Sequence, residues 1–201
     1  GNEEFRWRAS LGYNDVAGAM KGSGRQTFNG TVSLQYTYKN LIFNNQTTIT
    51  TNKATESKYG SFSDYASMQP YWRTHDAEGN LIKSYDGISN AKFGNPLHNA
   101  SLNTYDVSKY TELVNNFSIE WNIVDQLRLR GQLGISKRFD TNDAFYPAEH
   151  TMFEDYEIID ANKKGQYDYS DGEAFSLDGN ITLSWAKTVA DKHNFYVGAD
   201  A

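Results

Sequence analysis

The feature that most constrains this chain is a two-residue alternation of apolar and polar side chains that recurs along its length. In FRWRASLGYN, residues Phe5, Trp7, Ala9, Leu11 and Tyr13 share one parity, and Arg6, Arg8, Ser10, Gly12 and Asn14 the other. FNGTVSLQYTY repeats the pattern, with Phe28, Gly30, Val32, Leu34, Tyr36 and Tyr38 set against Asn29, Thr31, Ser33, Gln35 and Thr37. A weaker run leads from Leu41 through Phe43 towards Ile49. The alternation returns in FSIEWNI from Phe117, LRLRGQLGI from Leu127 and FSLDGNITLSW from Phe175, and starts once more at Phe195 and Val197. A helix would set Arg128 and Arg130 about 200° apart. A strand puts them on one side. The expectation is an all-β chain of half-apolar strands.

The connections set the topology. Lys39-Asn40, Asp125-Gln126 and Ala190–His193 each separate two runs by a few residues, as tight hairpins do. Long polar segments lie between, from about Lys53 to Asp106 and from about Thr141 to Asp171. Within the first, Ala77-Glu78-Gly79-Asn80 reads as a turn between YWRTHD and LIKSYD, a small hairpin of its own. Short and long connections therefore alternate. That predicts an antiparallel up-and-down meander with tight turns at one end and long loops at the other.

Composition narrows the setting. The hydrophobic share is 38% and mean hydropathy is -0.70. This is a thin supply for a soluble core, but enough for a sheet with one apolar and one wet face. The net charge is -6 with scattered basic residues, so no stripe for nucleic acid is present. Cysteine is absent, which removes disulfide and thiolate chemistry. No run approaches the ~18 apolar residues of a membrane helix, and GNEEFRWRAS has neither the basic nor the apolar region of a signal peptide. Gly1 in place of Met, and the ending NFYVGADA in mid-pattern, are what an excised piece would show.

An apolar sheet face must meet another sheet, a helix layer or lipid. Membrane strands need ~9–11 residues, which Phe5–Asn14, Phe28–Tyr38 and Phe175–Trp185 supply. Trp7, Tyr13, Tyr36, Tyr38, Trp121, Trp185 and Tyr196 suit the aromatic girdles of such strands. The competing readings are a soluble β-sandwich that binds carbohydrate or acts as an adhesin, and a sheet-rich glycoside hydrolase fragment.

Three stretches carry a resemblance to a known family. They are Arg8–Tyr38 (RASLGYNDVAGAMKGSGRQTFNGTVSLQYTY), Ser61–Gly87 with the later Asn95-Pro96, and Tyr110–Asp140 (YTELVNNFSIEWNIVDQLRLRGQLGISKRFD). Together they resemble the barrel of SusC/RagA-type TonB-linked outer-membrane transporters of Bacteroidetes. The first looks like an early barrel hairpin, the second like a loop with a Pro-aromatic pair and a Gly turn, the third like a periplasmic hairpin. The resemblance implies that residues 1–201 are one segment of a transmembrane barrel wall with long external loops. It implies an outer-membrane location and uptake of nutrients such as glycans or peptides. It also implies contact with lipid, energy from a TonB complex through a plug domain, and a SusD-like surface lipoprotein over the loops. The stretch matches no plug, TonB box, signal sequence or terminal aromatic signal, so it is expected not to transport alone. With two bare edges it is expected to self-associate.

Residues that carry chemistry are few. His75, His98, His150 and His193 lack metal-ligand spacing and read as solvated loop residues. Asp168, Asp171 and Glu173 in DYSDGE lack the spacing of a calcium loop, and a turn before Phe175 explains Asp171-Gly172. Glu154, Asp155 and Glu157 form an acidic loop cluster, read as a solvated face. Neither a metal, a cofactor nor a catalytic residue is expected. Arg6, Arg8, Glu120, Arg128, Arg130 and Asp178 sit on polar strand faces and would line a barrel lumen. Glu120 or Asp178 would supply a carboxyl in the hydrolase reading, which needs two such groups about one sugar. The loop aromatics Tyr71, Trp72, Phe145 and Tyr146 are the candidates for ligand contact, because sugar rings stack on aromatic faces.

Overall fold

The computed structural model describes residues 4–87, 92–154, 162–189 and 193–201. Seven strands form one open antiparallel sheet in chain order: β1 (Phe5–Ala17), β2 (Gly24–Tyr38), β3 (Leu41–Thr55), β6 (Tyr105–Val124), β7 (Leu127–Tyr146), β8 (Gln166–Val189) and β9 (His193–Asp200). β4 (Ser84–Asp86) and β5 (Lys92–Gly94) make a separate two-stranded sheet between β3 and β6. The all-β meander expected from the alternation is therefore the observed architecture. Among the described residues β1 and β9 do not pair, so the sheet does not close.

Tight turns close one end. In the Lys39-Asn40 turn, Lys39 takes a φ of 53° and Asn40 Nδ2 donates to the Asn122 carbonyl at 2.7 Å, tying this turn to β6. Asp125-Gln126 turns β6 into β7, with a register shift at Asn122/Val124. The expected turn at Ala190–His193 lies outside the described residues up to His193, but the pairing Val189↔His193 brackets it. At the other end stand the turn at 18–23 and the two long connections, 56–104 and 147–165.

The strands run further than the alternation does. β6 and β7 have 20 residues each and β8 has 24. The second long segment shrinks accordingly, and Asp168, Asp171 and Glu173 lie within β8 rather than in a turn before Phe175. The reason is that charged and polar residues interrupt the apolar parity there. Facing pairs such as Lys109↔Thr141 and Tyr110↔Asp140 give parity nothing to report.

The register assembles the apolar parity of every strand on one face. Trp7, Leu34, Phe117 and Leu133 fall close to one cross-strand row, and Leu11, Ile49, Leu113, Ile135 and Leu177 lie nearer the long loops. On β6 this band runs from Trp121 to Leu113, about 27 Å along the strand. Nothing covers it. Leu11 is 80% exposed, Trp7 61% and Leu177 60%. The buried apolar side chains among the described residues are Ala54, Tyr85, Ala144 and Phe153, all at the long-loop end. The band ends where Lys137 pairs with Glu173 and where Lys53 faces Lys109.

The described parts of the long connections fold into a cap. α1 (Phe62–Ala66) starts in a capping box between Ser61 and Asp64. α2 (Pro96–Ser101) starts at Asn95 with proline in its first turn. The turn expected at Ala77–Asn80 is present: Asp76 Oδ1 accepts from the Glu78 and Asn80 amides, and Gly79 takes a φ of 88°. The hairpin around it is a single bridge, His75↔Leu81, and the regular pairing is β4 with β5. Asn99 bonds Thr151 in both directions, through Thr151 Oγ1 at 2.7 Å and the Thr151 amide at 3.1 Å, joining the two long connections.

Candidate functional site

The polar parity forms the concave face. Two cross-strand rows cross it at the level of the apolar band: Arg6–Gln35–Asn44–Ser118–Gln132–Asn180 and Arg8–Ser33–Gln46–Asn116–Gly134–Asp178. These residues line a trough of about 620 Å³, so the sheet curls far enough for β1 and β8 to bound one space. The rows are amides and hydroxyls, with cations on β1 and a carboxylate on β8. Gly134 is where the wall admits that carboxylate. A Cβ there would collide with both oxygens of Asp178.

The sequence candidates divide between two levels. Arg6, Arg8 and Asp178 line the trough. Glu120, Arg128 and Arg130 sit nearer the tight turns. Glu120 faces Arg130 across β6 and β7, and its carboxylate lies 3.3 Å from Arg128 Nε, which also donates to Asn122 at 3.0 Å. By register, Glu120 and Asp178 stand two strands and four residues apart, roughly 16 Å. The carboxyls of a glycosidase pair stand ~5–9.5 Å apart, closer than these two backbone positions.

The cap gathers the aromatics differently. Tyr71 is 92% exposed. Trp72 stacks on Tyr85 at 4.7 Å and 12° and leans on Phe93 at 5.3 Å. Phe145 packs beside Tyr105 at 6.0 Å, on the same parity as the apolar band. Tyr146 faces the other way and donates its hydroxyl to Asp106 at 3.0 Å. Of the four, Tyr146 lines a second cavity of about 620 Å³, with Tyr59, Phe93, Asn99, His150 and Met152 among its neighbours.

Asn95 organises the cap. It is 1% exposed, donates through Nδ2 to the Thr74 and Ile82 carbonyls, and accepts from the Leu97 amide. Its signal was the Asn-Pro pair, a helix start. His150 is half-buried rather than solvated. Its Nδ1 accepts from the Met152 amide at 3.2 Å and its ring meets Tyr146 edge-on. Burial, and then His98 nearby, push its pKa down. His98 Nε2 lies 3.2 Å from the Glu149 carbonyl. Glu154 bridges Lys83 at 2.8 Å and Lys92 at 3.7 Å, and the Lys83 bond holds its pKa below the usual value. Asp155 and Glu157 lie outside the described residues. Among the described residues no group of histidines and carboxylates could hold a metal ion.

No family model matches the sequence, and neither does any curated protein sequence. Solved structures do match by fold. The structure of the RagAB peptide transporter aligns over 100% of this chain with a TM-score of 0.69, at 14% sequence identity. This chain spans 24% of the length of that one. At such identity the likeness concerns the fold.

Proposed function

We propose that the chain is a stretch of the wall of a TonB-dependent outer-membrane transporter of the SusC/RagA type, importing nutrients such as glycans or peptides. The observation that carries this reading is the uncovered apolar band on one face, backed by an amide-lined polar trough on the other. A strand tilted by ~35–45° spans a hydrocarbon layer with an outward apolar band ~25 Å tall. The ~27 Å of band along β6 projects to roughly 21 Å at that tilt. Tyr36, Tyr38 and Trp121 stand at its tight-turn edge and Tyr13 and Phe28 at its long-loop edge, where aromatic side chains favour the interface. A soluble sandwich would need a second layer over Leu11, Trp7 and Leu177, and the described residues supply none.

In this reading the band meets lipid and the trough faces the lumen. The cap stands outside, where Tyr71 and the Tyr146 cavity meet substrate or a SusD-like lipoprotein. Energy arrives through a plug domain coupled to the TonB complex, and no residue here is assigned catalysis. The test is made on the full-length protein in its host. It fractionates with the outer membrane, and deleting the gene or the TonB system abolishes growth on the same glycan or peptide source. Recovery from the soluble periplasm would refute the reading.

A further inference from the structure

Just beyond the apolar band, on the same face, one cross-strand row runs Asp15–Gln26–Lys53–Lys109–Thr141–Asp171. Its centre is unusual. Lys53 and Lys109 are directly opposed on adjacent strands, and both are exposed. Side chains in such positions start ~4.5–5.5 Å apart at Cβ, and like charges there repel. Among the described residues neither lysine has an ion-pair partner. The acids of the row are each screened by an intervening strand. Asp15 accepts from Gln26 at 3.4 Å, and Asp171 lies beyond Thr141. Lys137, the next outward lysine towards the band, lies four residues below Thr141 on β7 and is already paired with Glu173. One step nearer the band, Tyr13, Phe28, Thr51 and Thr111 form the next row. Together with the two lysines they line a cleft of about 280 Å³.

We propose that this cleft binds the phosphate headgroup of an anionic membrane lipid. The inference rests on the membrane-wall reading, because only there does the row lie at the level of lipid headgroups. The Lys53 and Lys109 ammonium groups take the phosphate, and the anion relieves their repulsion. The Thr51 and Thr111 hydroxyls donate to phosphate or sugar oxygens. Tyr13 and Phe28 lie against the start of the acyl chains, in line with the apolar band below.

The test uses the full-length protein in detergent micelles, titrated with diphosphoryl lipid A and read by native mass spectrometry. Each of K53Q and K109Q weakens binding about fivefold, and the double variant roughly 25-fold. K39Q, at the opposite rim, leaves binding unchanged, and equimolar inorganic phosphate does not displace the lipid. Equal binding by the double variant and the parent overturns the site. Displacement by inorganic phosphate overturns its assignment to lipid. A protein that takes up no detergent and stays out of the membrane fraction instead defeats the wall reading on which the site depends.

Discussion

At the scale of single residues, the cap depends on a few polar side chains rather than on apolar burial. Asn95 satisfies two carbonyls and one amide from a fully buried position. Asn95→Ala strands those groups, at ~1–3 kcal/mol for each one left without a partner. Asn95→Asp is no better, because it offers oxygens to the Thr74 and Ile82 carbonyls. Both variants are expected to lose hydrogen-exchange protection in residues 72–86 while β6 and β7 keep theirs. Acid acts on the same region. The His150 pKa is lowered, so the unfolded chain binds the proton more readily, and the cap loses stability as pH falls below about 6.5. The Glu154 pKa is also lowered, so its contribution is present above the ordinary carboxylate value and is lost below it. The two effects share a sign. Exchange at Asn99–Leu102, corrected for the intrinsic rate, is expected to speed up from pH 7 to pH 4, and less so in His150→Phe.

At the scale of elements, parity was legible wherever one face is continuously apolar and weak wherever polar residues interrupt it. That is why most of β1 and β2 and the lower halves of β6, β7 and β8 follow from the sequence, while the upper halves of β6, β7 and β8 do not. Asp171-Gly172 has the composition of a turn, yet in β8 it pairs with Thr141 and Asp140. Ladder bonds and cross-strand neighbours outweigh local turn preference there. The trough rows were foreseen as a polar face, but their curl around one cavity depends on register and twist across six strands. The cap pairing of β4 with β5 was not foreseen, because strands of three residues are too short to show an alternation. One turn is imperfect as built. Lys39 adopts a φ that favours glycine. Lys39→Gly is expected to raise stability by up to ~1 kcal/mol, read as a slower unfolding rate of the detergent-solubilised protein.

At the scale of the whole molecule, an open sheet with bare edges and a bare apolar face cannot be at rest in water alone. Residues 1–201 expressed without detergent are expected to sediment as large, concentration-dependent species, and a stable monomer would count against the membrane assignment. The most direct test of the central claim uses the absence of cysteine from residues 1–201, so an introduced thiol is unique among them once any cysteine elsewhere in the full-length protein is replaced by serine. Spin labels placed singly from Leu127 to Ile135 in the full-length protein, reconstituted in bilayers, report access to oxygen in lipid and to a water-soluble nickel reagent. A two-residue period is expected, with oxygen favoured at Leu129, Leu133 and Ile135 and nickel access or occlusion at Arg128, Arg130 and Gln132. Uniform access along β7, or oxygen favoured on the arginine parity, would contradict it.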